Sequence, residues 1–308
     1  MRRLFTVLVL AATLAISATA AEKTLKFNVG KVEGVHVNDT YSMIFEIHVK
    51  HGNSKVVELV YDTEMEKVVK DFESHIKVDH SSANSVLYLG FHQLPARFQR
   101  MNLASKVKTV KVYVEMTGIN EIDLSGASVI YFDGKFKADN LEVDMSGASK
   151  FGNELYVSGK ELSVDCSGAS NLSLTGHFER AEADGSGASN LTMTGDMDDV
   201  KCELSGASKF KYEGSNSTFE IECSGASNIE IKGTGNSLDI ESSGACKIDA
   251  KDYCAKRAYV ELSGASYAKV QATQELKHDV STASKLTYYN DAKIIDMSEK
   301  SNVRPGTL

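Results

Sequence analysis

The sequence of 308 residues predicts an all-β protein: a right-handed parallel β-solenoid (β-helix) of about nine regular coils, plus less regular N-terminal coils and a cap. Three observations predict it. A tetrapeptide recurs nine times, its spacing fits one turn of a solenoid, and apolar residues alternate with polar ones around each copy. The right-handed sense follows from the usual hand of crossovers between parallel strands.

The repeated tetrapeptide is Ser-Gly-Ala-Ser, and successive copies start 18 to 21 residues apart. Helical repeats need roughly 33 residues or more per unit, whereas a β-solenoid coil needs about 20. Cys246 replaces the second serine of the seventh copy, and Thr282 replaces the glycine of the ninth. The copies start at Ser125, Ser146, Ser167, Ser186, Ser205, Ser224, Ser243, Ser263 and Ser281.

Apolar residues fill the positions three and one before each copy, and five and seven after its start. Around Ser224, for example, these are Ile221, Cys223, Ile229 and Ile231. A spacing of two indicates strands with one buried face, so each unit is predicted to hold two short strands. In five units a glycine nine residues after the start marks the next turn: Gly134, Gly176, Gly195, Gly214 and Gly233.

The tetrapeptide is predicted to form a tight corner in which small residues let successive coils approach. If alternation resumes after the corner, the second serine faces inward, and Cys246 fits because cysteine behaves as a small buried hydrophobe. Thr282 leaves two explanations open. Either the ninth corner differs, or the glycines serve close packing rather than a left-handed backbone.

The flanking segments complete the predicted organisation. Residues 1–20 form a signal peptide, with Arg2 and Arg3 before an apolar run and Ala18-Thr19-Ala20 at the cleavage site. We therefore expect an exported protein of the periplasm, the outer cell surface or the extracellular space. Residues 21–120 are expected to hold irregular strands, a short helix over 64–72 and the cap. The repeat solenoid spans 121–290, and a tail spans 291–308.

Five cysteines are too few for a disulfide scaffold. Cys166, Cys202 and Cys223 fall in apolar columns and are predicted to be reduced core residues. Cys246 and Cys254 lie eight residues apart within one coil, so a disulfide between these two remains open.

An acidic residue stands two positions before all nine tetrapeptides and, between apolar columns, must face outward. At about 4.8 Å spacing, neighbouring carboxylates repel by roughly 0.9 kcal/mol even in water. Solvation, salt and side chains such as Lys150 and Lys209, from the column four after the first serine, could offset this repulsion. Weak binding of Ca²⁺ is the alternative, disfavoured because no coil offers six oxygens. These weak metal candidates are Asp123, Asp144, Asp165, Asp184, Glu203, Glu222, Glu241, Glu261 and Asp279.

Composition and motifs exclude several functions. A formal charge of −8 without a basic block argues against nucleic-acid binding, and no second long apolar stretch predicts a transmembrane segment. Short coils leave no room for catalytic loops, and neither a Gly-x-Ser-x-Gly motif nor a cofactor motif is present. We predict a non-enzymatic protein with a repetitive surface for a glycan or a surface protein. The alternative is a structural or self-assembling envelope module, and a polysaccharide-acting β-helix enzyme is less favoured.

Particular segments carry a family resemblance. Val112-Tyr113-Val114 leads through Ile119 to Asp123 into the first tetrapeptide, the unit Asp/Glu-x-Ser-Gly-Ala-Ser recurs, and Gly34-Val35-His36-Val37 opens the mature chain. In these features the chain resembles the auto-transporter adhesins with a head GIN domain, secreted proteins common in Bacteroidetes, from about Gly34 to Asn290. The resemblance implies a β-helical fold and an adhesive or surface-binding role. It supplies no catalytic or binding residues.

Overall fold

The computed structural model of the protein describes residues 22–38, 44–62, 77–79, 85–90, 109–289, 292–296 and 302–307. These residues form β-strands and no helix, as predicted. No helix among them is therefore long and apolar enough to span a bilayer. The predicted signal peptide (1–20) and the predicted helix (64–72) lie outside the described residues.

The repeat folds as a stack of parallel strands in which equivalent residues of successive coils pair in register. Asp144 pairs with Asp123 on one side and with Asp165 on the other, and the same register reaches Glu261 and Asp279. The predicted parallel β-solenoid is confirmed. Its strands are β8 (Glu121–Leu124), β9 (Val129–Asp133), β10 (Lys135–Lys137), β11 (Asn140–Met145), β12 (Lys150–Phe151), β13 (Leu155–Ser158), β14 (Glu161–Cys166), β15 (Asn171–Gly185), β16 (Asn190–Thr194), β17 (Met197–Leu204), β18 (Lys209–Cys223), β19 (Asn228–Ser242), β20 (Lys247–Leu262), β21 (Tyr267–Val280) and β22 (Lys285–Tyr289).

The strands that lead into the tetrapeptides form one side of the solenoid, here called the entry face. Those that leave them form a second side, the exit face. The inward side chains of both faces meet in one continuous apolar core that runs from Leu25 to Leu286. Outward side chains of each face therefore form columns along the solenoid axis.

Later coils differ from the predicted pair of short strands. β15, β18, β19, β20 and β21 have 14 to 16 residues each and run from one corner to the next. The chain bends at glycines, within β19 at Gly233 (φ 127°) and between β16 and β17 at Gly195 (φ 119°). A Cβ on Gly233 would lie 1.7 Å from the carbonyl oxygen of Gly214, so glycine lets the strand bend while the coils stay hydrogen-bonded.

One coil contains an insertion that the periodicity misplaced. Asn153 stands seven residues after Ser146, a position that the spacing predicts to face inward, but its side chain is exposed. It accepts a hydrogen bond from Phe132 N (2.8 Å) and donates one to Phe132 O (2.7 Å), which replaces a strand pairing. Leu155, fully buried and paired with Leu174, takes the core position two residues later.

The corners settle the role of the glycines. The backbone there is left-handed as well as closely packed, so close packing alone is the wrong explanation, and the other one, that the ninth corner differs, applies. The glycine of each of the first eight tetrapeptides has φ between 68° and 97°. A Cβ on Gly206 would also lie 2.7 Å from the carbonyl oxygen of Gly187, which accepts a 2.7 Å hydrogen bond from Ala207 N. The ninth corner differs, since Ser284 Oγ donates to Gly264 O (3.4 Å) and Asn302 Nδ2 to Thr282 O (2.6 Å).

The second serine of each corner faces inward, as predicted. These serines are at most 1% exposed, and in five corners the hydroxyl donates to the carbonyl of the first serine at 2.6–3.1 Å. Cys246, 1% exposed, makes the equivalent contact through its thiol to Ser243 O at 3.6 Å. Each buried hydroxyl therefore has a partner within its own corner or its neighbour.

The N-terminal strands do not stack in chain order. Parallel strands β2 and β3 form the first coil beside β8 and β9, while β6 and β7, later in the chain, lie outside that coil. β4 pairs antiparallel with β7 and β1, and β5 pairs antiparallel with β6, so this end is closed by reversed strands. The strands are β1 (Glu22–Asn28), β2 (Gly34–Asn38), β3 (Ile44–His51), β4 (Val56–Asp62), β5 (Lys77–Asp79), β6 (Val86–Gly90) and β7 (Thr109–Met116).

The C-terminal tail adds one strand to each face. β23 (Lys293–Asp296) pairs with β21 on the entry face, and β24 (Val303–Pro305) pairs with β22 on the exit face. Both strands are short, and Pro305 cannot donate a further ladder hydrogen bond.

Candidate functional site

The nine acidic residues form a single outward column on the entry face, here called the acid ladder. None of their side chains is buried, whereas the flanking core residues Val164 and Cys166 are at most 1% exposed. In-register pairing joins every member to the next, from Asp123 to Asp279. The alternation of the sequence therefore placed this column correctly.

A shallow groove of about 440 Å³ runs between the acid ladder and the first serines of the corners. It is lined by carboxylates from six successive coils and by the first serines of five of them. Ser224 Oγ, for example, donates to Leu204 O at 3.4 Å. The main lining side chains are Asp165, Asp184, Glu203, Glu222, Glu241, Glu261, Ser186, Ser205, Ser224, Ser243 and Ser263.

The carboxylates crowd most closely around Asp184. One oxygen from each of Glu182, Asp184 and Glu203 lies within 4.8 Å of the others. Burial, and then the negative charges of Glu203, Glu182 and Asp165, raise the pKa of Asp184 to about 6. Burial and neighbouring carboxylates also raise the pKa of Asp144. Keeping these carboxylates ionised in the folded chain therefore costs free energy.

Cations reach the ladder from the entry face itself. Lys201 Nζ hydrogen-bonds to Glu203 and lies 3.5 Å from Glu222 Oε1, and its hydrogen bond to Glu203 raises the pKa of Lys201. The predicted lysines of the other column, such as Lys150 and Lys209, lie beyond the corner on the exit face. Among the described residues, the ion pairs of the ladder involve His36 and Lys201, and none involves that column.

His36 is a member of the site that the sequence did not reveal. It pairs in register with Asp123 and therefore stands at the N-terminal head of the ladder. Its Nε2 contacts Asp123 Oδ2, and its ring stacks on Tyr88 with centroids 4.8 Å apart. A hint lay in the alternation of Gly34-Val35-His36-Val37, but the strand's position beside β8 was not visible in the sequence.

The exit face carries different chemistry. At its N-terminal end three rings stack along one outward column, with His48 4.7 Å from Tyr113 and 5.0 Å from Tyr131. The same column continues past Gly152, on which the Tyr131 ring lies, to hydroxyl-bearing residues and lysine. The adjacent column alternates amide and lysine side chains in register. We call these two columns the polar ladder of the exit face: Lys150, Asn171, Asn190, Lys209, Asn228, Ser173, Thr192 and Lys211.

All five cysteines are free thiols in this structure. Cys166, Cys202 and Cys223 are buried, as predicted, and burial raises the pKa of Cys166 to about 12. Cys254 is only partly buried and is not bonded to Cys246. Deeply buried thiols of this kind fill space rather than react from solvent.

The fold and its surface ladders define a class: a β-solenoid that presents repeated side chains on flat faces. Within this class, the chain belongs to the family described as "Putative auto-transporter adhesin, head GIN domain", whose model matches residues 33–211 and 194–292. The two matches overlap within the repeat and together cover most of the chain. The family resemblance seen in the sequence is confirmed.

Several solved structures are similar to the chain. A "putative adhesin" from Parabacteroides distasonis is similar with a TM-score of 0.50 and 13% identity, over 93% of this chain and 98% of that chain. A "putative adhesin" from Parabacteroides merdae has a TM-score of 0.46, and a "putative lipid binding protein" from P. distasonis one of 0.45. Both are 13% identical, over 93% of this chain and 97% of theirs. No curated protein matches the chain. At 13% identity, the likeness to the first of these structures shows a shared fold alone.

Proposed function

We propose that the protein is an exported, non-catalytic adhesin-like protein that binds an extended glycan along its exit face. Membership of the adhesin family supports an adhesive role at or beyond the cell envelope. The observation that carries the proposal is the in-register polar ladder, in which Asn171, Asn190 and Lys209 succeed one another coil by coil. A polymer of repeating sugars laid along this face meets the same hydrogen-bonding groups again at each coil.

The two faces differ in a way that favours the exit face for a glycan. The entry face presents the acid ladder, which would repel uronic-acid or sulfated polymers. The exit face offers amide, hydroxyl and ammonium groups that donate and accept hydrogen bonds. Its aromatic end adds an exposed ring, because Tyr113 is 39% exposed at the edge of the ring stack. Tyrosine combines an apolar ring with a polar tip, as sugar recognition requires.

A catalytic role has less support. The second serines of the corners are buried and donate to backbone carbonyls, so they are poor nucleophiles. The first serines are equivalent from coil to coil, so none of them is distinguished as a nucleophile. His36, the nearest candidate base, is engaged with Asp123. A regular surface on which no reactive group differs from its counterparts in other coils suits binding rather than catalysis.

A self-assembling module is the competing proposal, and the ends of the solenoid argue against it. β23 and β24 have four and three residues, and Pro305 lies on the last strand. The N-terminal end carries antiparallel β1 and β4, with the charged pair Lys26 and Glu58 on the outermost strands. Short, charged and proline-bearing edges resist pairing with another chain.

A binding experiment tests the proposal. The exported chain would be applied to an array of neutral and acidic bacterial polysaccharides, and hits would be measured by biolayer interferometry. The double variant N171A/N190A removes two rungs of the polar ladder and should weaken binding about tenfold or more. D165N, on the entry face, is the matched control and should bind at least as well as wild type. Light scattering would show whether the chain forms filaments instead, and filaments without glycan binding would overturn the proposal.

A further inference from the structure

We infer that Cys223 and Cys246 form a disulfide that joins two adjacent coils when the protein folds in an oxidising compartment. Cys223 stands one residue before the sixth tetrapeptide, and Cys246 is the last residue of the seventh. Both side chains are buried, at 4% and 1% exposure. The two residues are 23 apart in sequence and belong to different columns of neighbouring coils. The period relates residues of one column, so it does not indicate that these two are neighbours.

The geometry of the corners brings these two positions together. The side chain at the end of each tetrapeptide reaches back toward the residue that precedes the tetrapeptide of the coil before. Ser242 and Ser266 stand in the same relation as Cys223 and Cys246, and their hydroxyl oxygens are 2.9 Å apart. In an earlier coil Ser149 Oγ likewise reaches the carbonyl of Leu124, at 3.2 Å. The relation therefore recurs along the stack.

The two thiols lie close enough that each shifts the pKa of the other: Cys246 raises the pKa of Cys223, and Cys223 lowers the pKa of Cys246. The corner of Cys246 also differs from its neighbours, because φ of Gly244 is 97° where the other seven corner glycines lie between 68° and 72°. Cys202 is in register with Ile221 instead of Cys223, and Cys254 lies in another part of its coil.

The reaction needs an oxidant, which we take to be a low-molecular-weight disulfide such as oxidised glutathione. The thiolate of one cysteine attacks a sulfur of the oxidant and releases one thiol. The second cysteine then attacks the mixed disulfide, forms the Cys223–Cys246 bond and releases the other thiol. The two cysteines lose two electrons and two protons, which leave as the two thiols of the reduced oxidant. Since both side chains are buried in the folded coil, the bond forms during folding.

Peptide mapping tests the bond directly, because trypsin places each cysteine in a separate peptide. Lys232 separates the peptide of Cys223 from that of Cys246. The full chain would be refolded with oxidised and reduced glutathione, alkylated in denaturant without reduction, and digested. We expect a linked pair of residues 212–232 and 233–247, with alkyl groups on Cys166, Cys202 and Cys254. Five alkylated cysteines, or a link that uses Cys202 or Cys254, would overturn the inference.

Matched variants distinguish the effect of the disulfide from an effect of the substitution on folding. C246S restores the serine found at the other eight corners, so it should fold, and it lacks the bond. C254S keeps both partners. A disulfide that closes a loop of this length should raise the Tm by about 5–10 °C. Reduction should therefore lower the Tm of wild type and C254S by that amount and leave C246S unchanged. An equal response of all three variants to reduction would contradict the bond.

Discussion

His36 Nε2 lies against Asp123 Oδ2, so a histidine from the first coil occupies the rung that precedes the acid ladder. Burial alone would lower the pKa of His36. The hydrogen bond and charge of Asp123, followed by the charges of Glu121 and Asp144, outweigh burial and raise it. Tyr88 stacks on the other side of the ring. Protonated His36 therefore supplies a positive charge at the N-terminal end of the acid ladder, where the repeat provides no cation.

This relationship predicts a pH dependence. Because the pKa of His36 is higher in the folded than in the unfolded chain, its stabilisation is complete below about pH 6.5 and disappears as the pH rises through the folded pKa. H36N should lower the free energy of unfolding by about 0.5–1 kcal/mol at pH 6, and by less at pH 9. Urea unfolding at both pH values measures this. H177N, at an exposed histidine, is the control, and an equal loss at both pH values would contradict the ion-pair role.

Asp184 gives a pH dependence in the same direction, but its substitution should have the opposite effect on stability. Its pKa rises to about 6 in the folded chain, so the native state holds a proton that the unfolded state has lost. Stability therefore falls as the pH rises from about 4 to about 6 and then levels off. D184N should raise the free energy of unfolding by about 1 kcal/mol at pH 7, a value reduced for solvent exposure, and leave it unchanged at pH 4.

The comparison for D184N is D279N, at an exposed ladder residue near the C-terminal end. Its unfolding free energy should stay within about 0.5 kcal/mol of wild type at both pH values. If D184N destabilises the chain at pH 7, the carboxylate must have a partner that compensates for its neighbours. Among the described residues, however, Asp184 Oδ1 accepts no hydrogen bond.

Calcium and sodium should stabilise the ladder equally. The closest group, Glu182, Asp184 and Glu203, brings together only three side chains, and Lys201 already neutralises Glu203. A good Ca²⁺ site takes six or more oxygens. Thermal unfolding in millimolar CaCl₂ and in NaCl at matched ionic strength should therefore give the same Tm. A rise that only calcium produces would show that the ladder binds the ion, and its loss in D184N would place the site.

The regular half of the fold could be predicted because every coil repeats one environment. The two-residue spacing around each tetrapeptide assigns Ile221 and Ile229 to the core and Glu222 to solvent, and stacking in register then follows from the constant period. An insertion within a coil shifts the two-residue spacing locally. Asn153 shows it, since its amide group replaces a strand pairing and moves the core position to Leu155.

The contacts that close the site could not be predicted, because they join positions that the period does not relate. β2 and β3 lie between later strands, so nothing in the repeat places His36 beside Asp123. Corner side chains reach from one coil to the next, as Ser266 does to Ser242, so the period does not reveal that Cys223 and Cys246 are neighbours. Lys201 was visible as an exception to its column, but the orientation of its long side chain was not.

The corner glycines should be the least replaceable residues of the repeat. Gly206 has φ of 68°, and a Cβ there would lie 2.7 Å from the carbonyl oxygen of Gly187, in the backbone of the adjacent coil. Left-handed backbone costs alanine roughly 1–2 kcal/mol, and the clash adds to it because backbone cannot move aside without breaking the ladder. G206A should therefore lose about 2–4 kcal/mol of unfolding free energy in urea. A207S, at the exposed neighbour in the same corner, should change it by less than about 0.5 kcal/mol. Similar midpoints for G206A and A207S would show that the coils can separate at a corner.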